Sequence, residues 1–296
     1  MNINATRAAA HLRTWLLVAG LTALLVATGA TIGGAGLYIF VLLAVAMNAA
    51  GYWFSDRIAL AASHAQPLAP GALPQLRAMV AQLAGRAQLP IPRIYVIPNE
   101  QPNAFATGRD PQHAAIAVTS GLLHNLPEDQ IRGVLAHEFS HIKNRDILVS
   151  SVAAMIAGAI SALASVLQFS LLFGGGGDEE DSPLGLFGAI AAIVVAPIAA
   201  TLLQLAVSRQ REYLADATAV RLLGSAAPLA DALQTLEHGA QAIPMQVNPA
   251  TASLYAVNPL RREGLATLFM THPPLAERIR RLRAIDSVSR GPVYAR

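Results

Sequence analysis

Residues 137–141 read His-Glu-Phe-Ser-His. On a helix, positions i and i+4 share a face, so His137 and His141 can present both imidazoles to one metal ion. Glu138, beside the first histidine, can then act on water held by that ion. Bound zinc lowers the pKa of its water toward about 7 and polarises a carbonyl. An adjacent carboxylate takes the proton and delivers it to a leaving amine. A chance match to this pattern is expected in roughly one chain in a hundred, which weighs against two surface histidines on an amphipathic helix.

Two histidines leave the site one ligand short, because catalytic zinc uses three protein ligands plus water. Glycine three and histidine six residues after His141 would complete the set from the same segment. Those positions are Asn144 and Ile147, which excludes that class. Glu212 and His272 are the candidates elsewhere. Glu212 and Asp216 are again i and i+4, so one can bind metal while the other accepts a hydrogen bond from a ligand histidine. The plainer reading pairs them on the surface with Arg209 or Arg211. For His272 it makes Thr271 a helix cap with Pro273 at the first helical position.

Leu126–Asp146 reads as a helix, with Pro127 near its first turn and Glu128 and Asp129 suited to its positive end. Leu73–Ala87 reads as a helix between prolines. Arg93–Ile97 and Ala114–Thr119 read as strands, joined by turn-rich Asn103–Pro111. Further helices are expected near 208–223 and from Pro273–Pro274 to Ile285, with Gln241–Leu260 irregular. The arginines at 278, 280, 281 and 283 read as a solvated face.

The rest of the chain is apolar. Of 296 residues, 54% are hydrophobic and 13% charged, about half the usual charge content. No charged side chain occurs in 14–55, 147–177 or 182–208. A bilayer crossing needs roughly 20 apolar residues, so spans are expected near 14–32, 36–54, 148–172 and 184–207, with Gly33, Gly34 and Gly36 turning between the first two. The apolar run is too long for a signal-peptide core. Arginines precede span one, fill 57–145 and follow span four, whereas the loop between spans three and four is acidic at 178–181. The positive-inside rule then puts both termini and both polar segments in the cytoplasm. The absence of cysteine excludes disulfides and thiolate chemistry, and a net charge of +3 is a poor basis for binding nucleic acid.

Four stretches, Asn103-Ala-Phe-Ala-Thr-Gly108, His137-Glu-Phe-Ser-His141, Arg211-Glu-Tyr-Leu-Ala-Asp216 and Thr271-His-Pro-Pro274, resemble the M48 family of membrane zinc peptidases, in its bacterial HtpX-type heat-shock branch. The resemblance implies one Zn2+ per chain, with Glu212 as third ligand and Asp216 supporting the site. It implies that His272 stabilises the oxyanion and that Arg278 helps order the site. Asn103, Ala104, Phe105 and Ala106 would line the cleft, where a substrate strand adds by backbone pairing. Arg145 departs from the family, in which glycine is frequent. On a continuous helix it would face away from the metal.

The expectation is a mainly α protein with four transmembrane helices and an α+β, zincin-like metallopeptidase domain containing a small sheet. Residues 1–54 and 148–207 form the membrane hairpins, and 55–147 with 208–296 form the peptidase. Its partners would be the bilayer and polypeptide substrates, by resemblance misfolded or surplus membrane proteins of the bacterial inner membrane, in a quality-control and stress-response role. A motif helix this polar excludes cutting within the bilayer. A processing peptidase for lipidated C-termini would have more spans. A scaffold or holdase would have lost the base or a ligand.

Overall fold

The computed structural model describes residues 34–152, 209–243 and 273–289, with isolated positions between 12 and 30 and between 245 and 257. Helix α1 spans Ala35–Ala62. Its stretch Leu37–Ala62, 26 residues whose most apolar 18 have a mean hydropathy of 1.8, is long and apolar enough to cross a bilayer, and it is the one such helix among the described residues. Expected span two falls within this helix, which continues beyond residue 54. Spans three and four fall almost wholly outside the described residues. The described positions of span one are helical, and Asn48 donates to Thr22 Oγ1 at 2.7 Å, a polar tie of the kind that joins helices in lipid.

After α1 come strand β1 (Gln66–Pro67), helix α2 (Pro74–Ala87), strands β2 (Arg93–Ile97), β3 (Ala104–Thr107) and β4 (Ala115–Thr119), and helices α3 (Ser120–Asn125) and α4 (Glu128–Asn144). Beyond the second charge-free region lie α5 (Arg209–Leu223), α6 (Ala227–Ala242) and α7 (Leu275–Ser289). The sheet order is β1-β2-β4-β3. β2 and β4 are parallel, while β1–β2 and β3–β4 are antiparallel. β4 is central and buried throughout, which explains its unbroken apolar run.

Two corrections follow. The turn-rich link Asn103–Pro111 contains the edge strand β3, because four small or apolar residues precede the glycine at 108, whose φ is +139°. Helix α6 was not expected. It crosses α4 so closely that a Cβ on Gly133 would lie 2.6 Å from the Pro228 carbonyl.

One face of the sheet packs on α2 and α4, with Ala104, Ala106, Ile116 and Val118 meeting Leu83, Leu135 and Phe139. On the other face, Phe105, Ala115 and Ala117 join Ala59 and Leu60 of α1 and Tyr255. The two polar segments thus share one core, in which α4 packs against both α5 and α6.

Candidate active site and metal centre

The helix α4 carries His137, Glu138 and His141, and α5 carries Glu212 and Asp216. His137 and His141 lie one turn apart with Nε2 atoms 3.1 Å from each other and ring planes at 88°. Glu212 Oε2 is 3.5 Å from His137 Nε2, and Oε1 is 3.8 Å from His141 Nε2. One ligand atom from each of the three residues falls within a 4.8 Å group. Donors bound at about 2.0–2.1 Å around a tetrahedral ion are about 3.3 Å apart, so this set fits a zinc-sized ion.

Both imidazoles are braced from behind. His137 Nδ1 is 2.9 Å from Asp216 Oδ1, and His141 Nδ1 is 3.1 Å from each oxygen of Asp146. Such bonds fix the tautomer and leave the opposite nitrogen as the ligand. Arg278 then grips Asp216 with a two-pronged fork, Nε to Oδ2 at 2.9 Å and Nη2 to Oδ1 at 2.7 Å. Its Nη1 donates to the Ala256 carbonyl at 3.2 Å, and its Nη2 is 3.3 Å from His137 Nε2. Arg278 is 0% exposed, so it leaves the solvated face expected for the arginines of α7. Glu212 and Asp216 are buried too, which overturns their surface-pairing alternative. Arg280 and Arg281 are exposed and pair with Glu277.

Sequence reasoning missed Asp146. The signal lay in Arg145, whose φ is +60°. α4 ends at Asn144, Arg145 is its left-handed cap, and the reversed chain turns Asp146 back onto His141. Glycine is favoured at such a cap, so Arg145 differs from the helical, outward-facing residue expected.

The electrostatics follow burial and pairing. Burial pushes the Glu138 carboxyl up, against the pull of His137 and His141, which brings a general base nearer neutrality. Burial opposes protonation of His141, but Asp146, Glu212 and Glu138 together push it up to about 9. Burial and Arg278 oppose protonation of His137, and its bonds to Asp216 and Glu212 outweigh them. Burial would raise Asp216, yet Arg278 and His137 hold it down to about 2.

Of the residues expected to line a cleft, Asn103 and Phe105 turn their backbone groups toward β4, and Ala104 and Ala106 turn theirs to the outer edge of β3. The Ala106 N–H bonds to Glu138. The Ala104 carbonyl accepts from Ala256 N–H at 2.9 Å, and the Asn103 amide bonds the backbone of Val257, at 2.7 Å through Nδ2. His272 and Thr271 fall outside the described residues.

A pair of braced histidines, one buried and one partly exposed, an adjacent carboxylate and a distant third donor fit a metallopeptidase centre, and the Peptidase family M48 pattern matches residues 71–286. The chain belongs to that family, and it is a membrane metalloendopeptidase. Its relatives include the protein named Protease HtpX homolog from Syntrophobacter fumaroxidans, 51% identical over 277 residues, covering 92% of this chain and 98% of that one. The protein of the same name from Acidiphilium cryptum is 51% identical over 276 residues, covering 92% and 95%. Among solved structures, the crystal structure of S. mikatae Ste24p aligns with a TM-score of 0.50 at 23% identity, covering 88% of this chain and 62% of that one, a likeness of fold.

Proposed function

We propose that His137, His141 and Glu212 hold one zinc ion and that Glu138 is the general base of peptide hydrolysis. The observation that carries this reading is the convergence of three donors from two helices, with a carboxylate behind each imidazole. Zinc, when bound, supplies Lewis acidity toward the scissile carbonyl. Glu138 takes the proton of the attacking water and passes it to the leaving nitrogen. His272 stabilises the oxyanion. The substrate backbone pairs with the outer edge of β3, where Ala256 already takes the Ala104 carbonyl and Glu138 the Ala106 N–H.

The substrates in this reading are misfolded or surplus membrane proteins. The chain is a four-span protein of the bacterial inner membrane, with both termini and the active site in the cytoplasm and its two polar segments joined around the second hairpin.

Metal analysis combined with substitution tests the proposal. Glu138→Gln is expected to keep one zinc per chain while cleavage of a denatured membrane protein falls about 10²–10⁴-fold. His137→Ala and Glu212→Ala are expected to lose the metal. Full turnover in Glu138→Gln would reject the mechanism.

A further inference from the structure

The helix α1 is longer than a bilayer requires. Its 26 residues from Leu37 to Ala62 make about 39 Å of helix at ~1.5 Å each, against about 30 Å of hydrocarbon. Counted from Leu37, about 30 Å of helix ends at Asp56, the first charged residue after Arg13. Just before it, Tyr52, Trp53 and Phe54 are 42%, 54% and 47% exposed, as an interfacial aromatic belt would be. Asp56 itself is buried and paired with Arg93 at 2.5 Å, which neutralises its charge at this boundary.

Beyond that level the helix enters the catalytic core. Ala59 and Leu60 share a buried cluster with Phe105 of β3. At the far end of β3 the guanidinium of Arg109 lies 5.1 Å over the Trp53 ring. Thr107 Oγ1 is 2.8 Å from Ser151 Oγ, in the helical residues 147–152 that open the second charge-free run. The strand bonded to Glu138 is therefore fastened both to α1, about one helical turn beyond Asp56, and to the residues that open the second charge-free run.

We infer that the active site serves the stretch of a substrate immediately outside the bilayer, an extended juxtamembrane segment of another membrane protein. The scissile bond falls within roughly ten residues of the substrate's spanning helix. The protruding ~9 Å of α1 plus the ~13 Å of a four-residue strand correspond to about seven residues of extended chain. A folded domain, about 30 Å across, does not fit between the site and the membrane surface. This inference rests on reading α1 as a bilayer span and deepens the proposed substrate class.

The test uses the full-length zinc-loaded protein in phosphatidylethanolamine–phosphatidylglycerol vesicles. The probe is a single transmembrane helix, then a 30-residue linker repeating one cleavable sequence, then a tightly folded domain. Mass spectrometry maps the cuts. At least tenfold more cutting is expected in the first ten linker residues than in the last ten. The same linker between two folded soluble domains is expected to be cut at least tenfold more slowly. Even cutting along the linker, or equal rates for the two substrates, would overturn the inference and leave the peptidase reading intact. If the anchored substrate stayed whole while a short soluble peptide was cleaved, the membrane-protein substrate reading would fall, and this inference with it.

Discussion

Each histidine of the proposed ligand set leans on a carboxylate behind its ring. Asp146→Asn keeps the shape but weakens the bond that orients His141, and metal affinity is expected to fall about 10–100-fold, as read by competition with a chelator. Asp216 makes a second, pH-dependent contribution. Its carboxyl sits at about 2 in the folded chain, below its ordinary range. The metal-free protein therefore gains stability from it above about pH 4 and loses that gain as pH falls toward 2, on the order of 2 kcal/mol. Thermal melts of chelator-treated protein at pH 5 and pH 2.5 should show a larger drop than in Asp216→Asn. The histidines and Glu138 were legible because a five-residue spacing on one helix fixes their geometry. Asp146 and the burial of Arg278 were not, because both depend on contacts made after the helix ends or between distant helices.

Two backbone devices at α4 set where its side chains stand. The cap at Arg145 holds an ordinary side chain in the left-handed region, which costs about 1 kcal/mol. Arg145→Gly is expected to raise stability by about that amount, seen as a melting-point rise of a few degrees, with no loss of metal. The crossing of α4 and α6 leaves no room at Gly133. Gly133→Ala is expected to cost about 1–3 kcal/mol and, by shifting α4, to lower metal retention as well. Helices with clear stops, such as α2 and α4, were readable in the chain to within a few residues. β3 was hidden because turn residues flank it, Pro102 and Asn103 before and Gly108, Asp110 and Pro111 after, and pairing with β4 and the cover of Tyr255 make Ala104–Thr107 a strand. α6 carried a readable signal, since Leu229, Leu233 and Leu236 recur at helical spacing and are all buried.

Membrane and catalytic parts are not separable modules. The last turns of α1 supply Ala59 and Leu60 to the core beneath β3. Removing residues 1–54 is expected to leave that packing whole, whereas removal through Ala62 strips it. The second truncation should melt several degrees lower and precipitate in the same detergent, a difference that differential scanning fluorimetry resolves. Composition announced the apolar half of the molecule, but not that one of its helices would extend into the peptidase. The order of the working parts along the chain has a further effect. On the proposed ligand set, the two imidazoles emerge early, the third donor follows only after both later charge-free stretches, and the guanidinium that locks Asp216 comes near the very end. A nascent copy that stops short of residue 278 holds an unfinished set of tools, so destructive power arrives only late in synthesis.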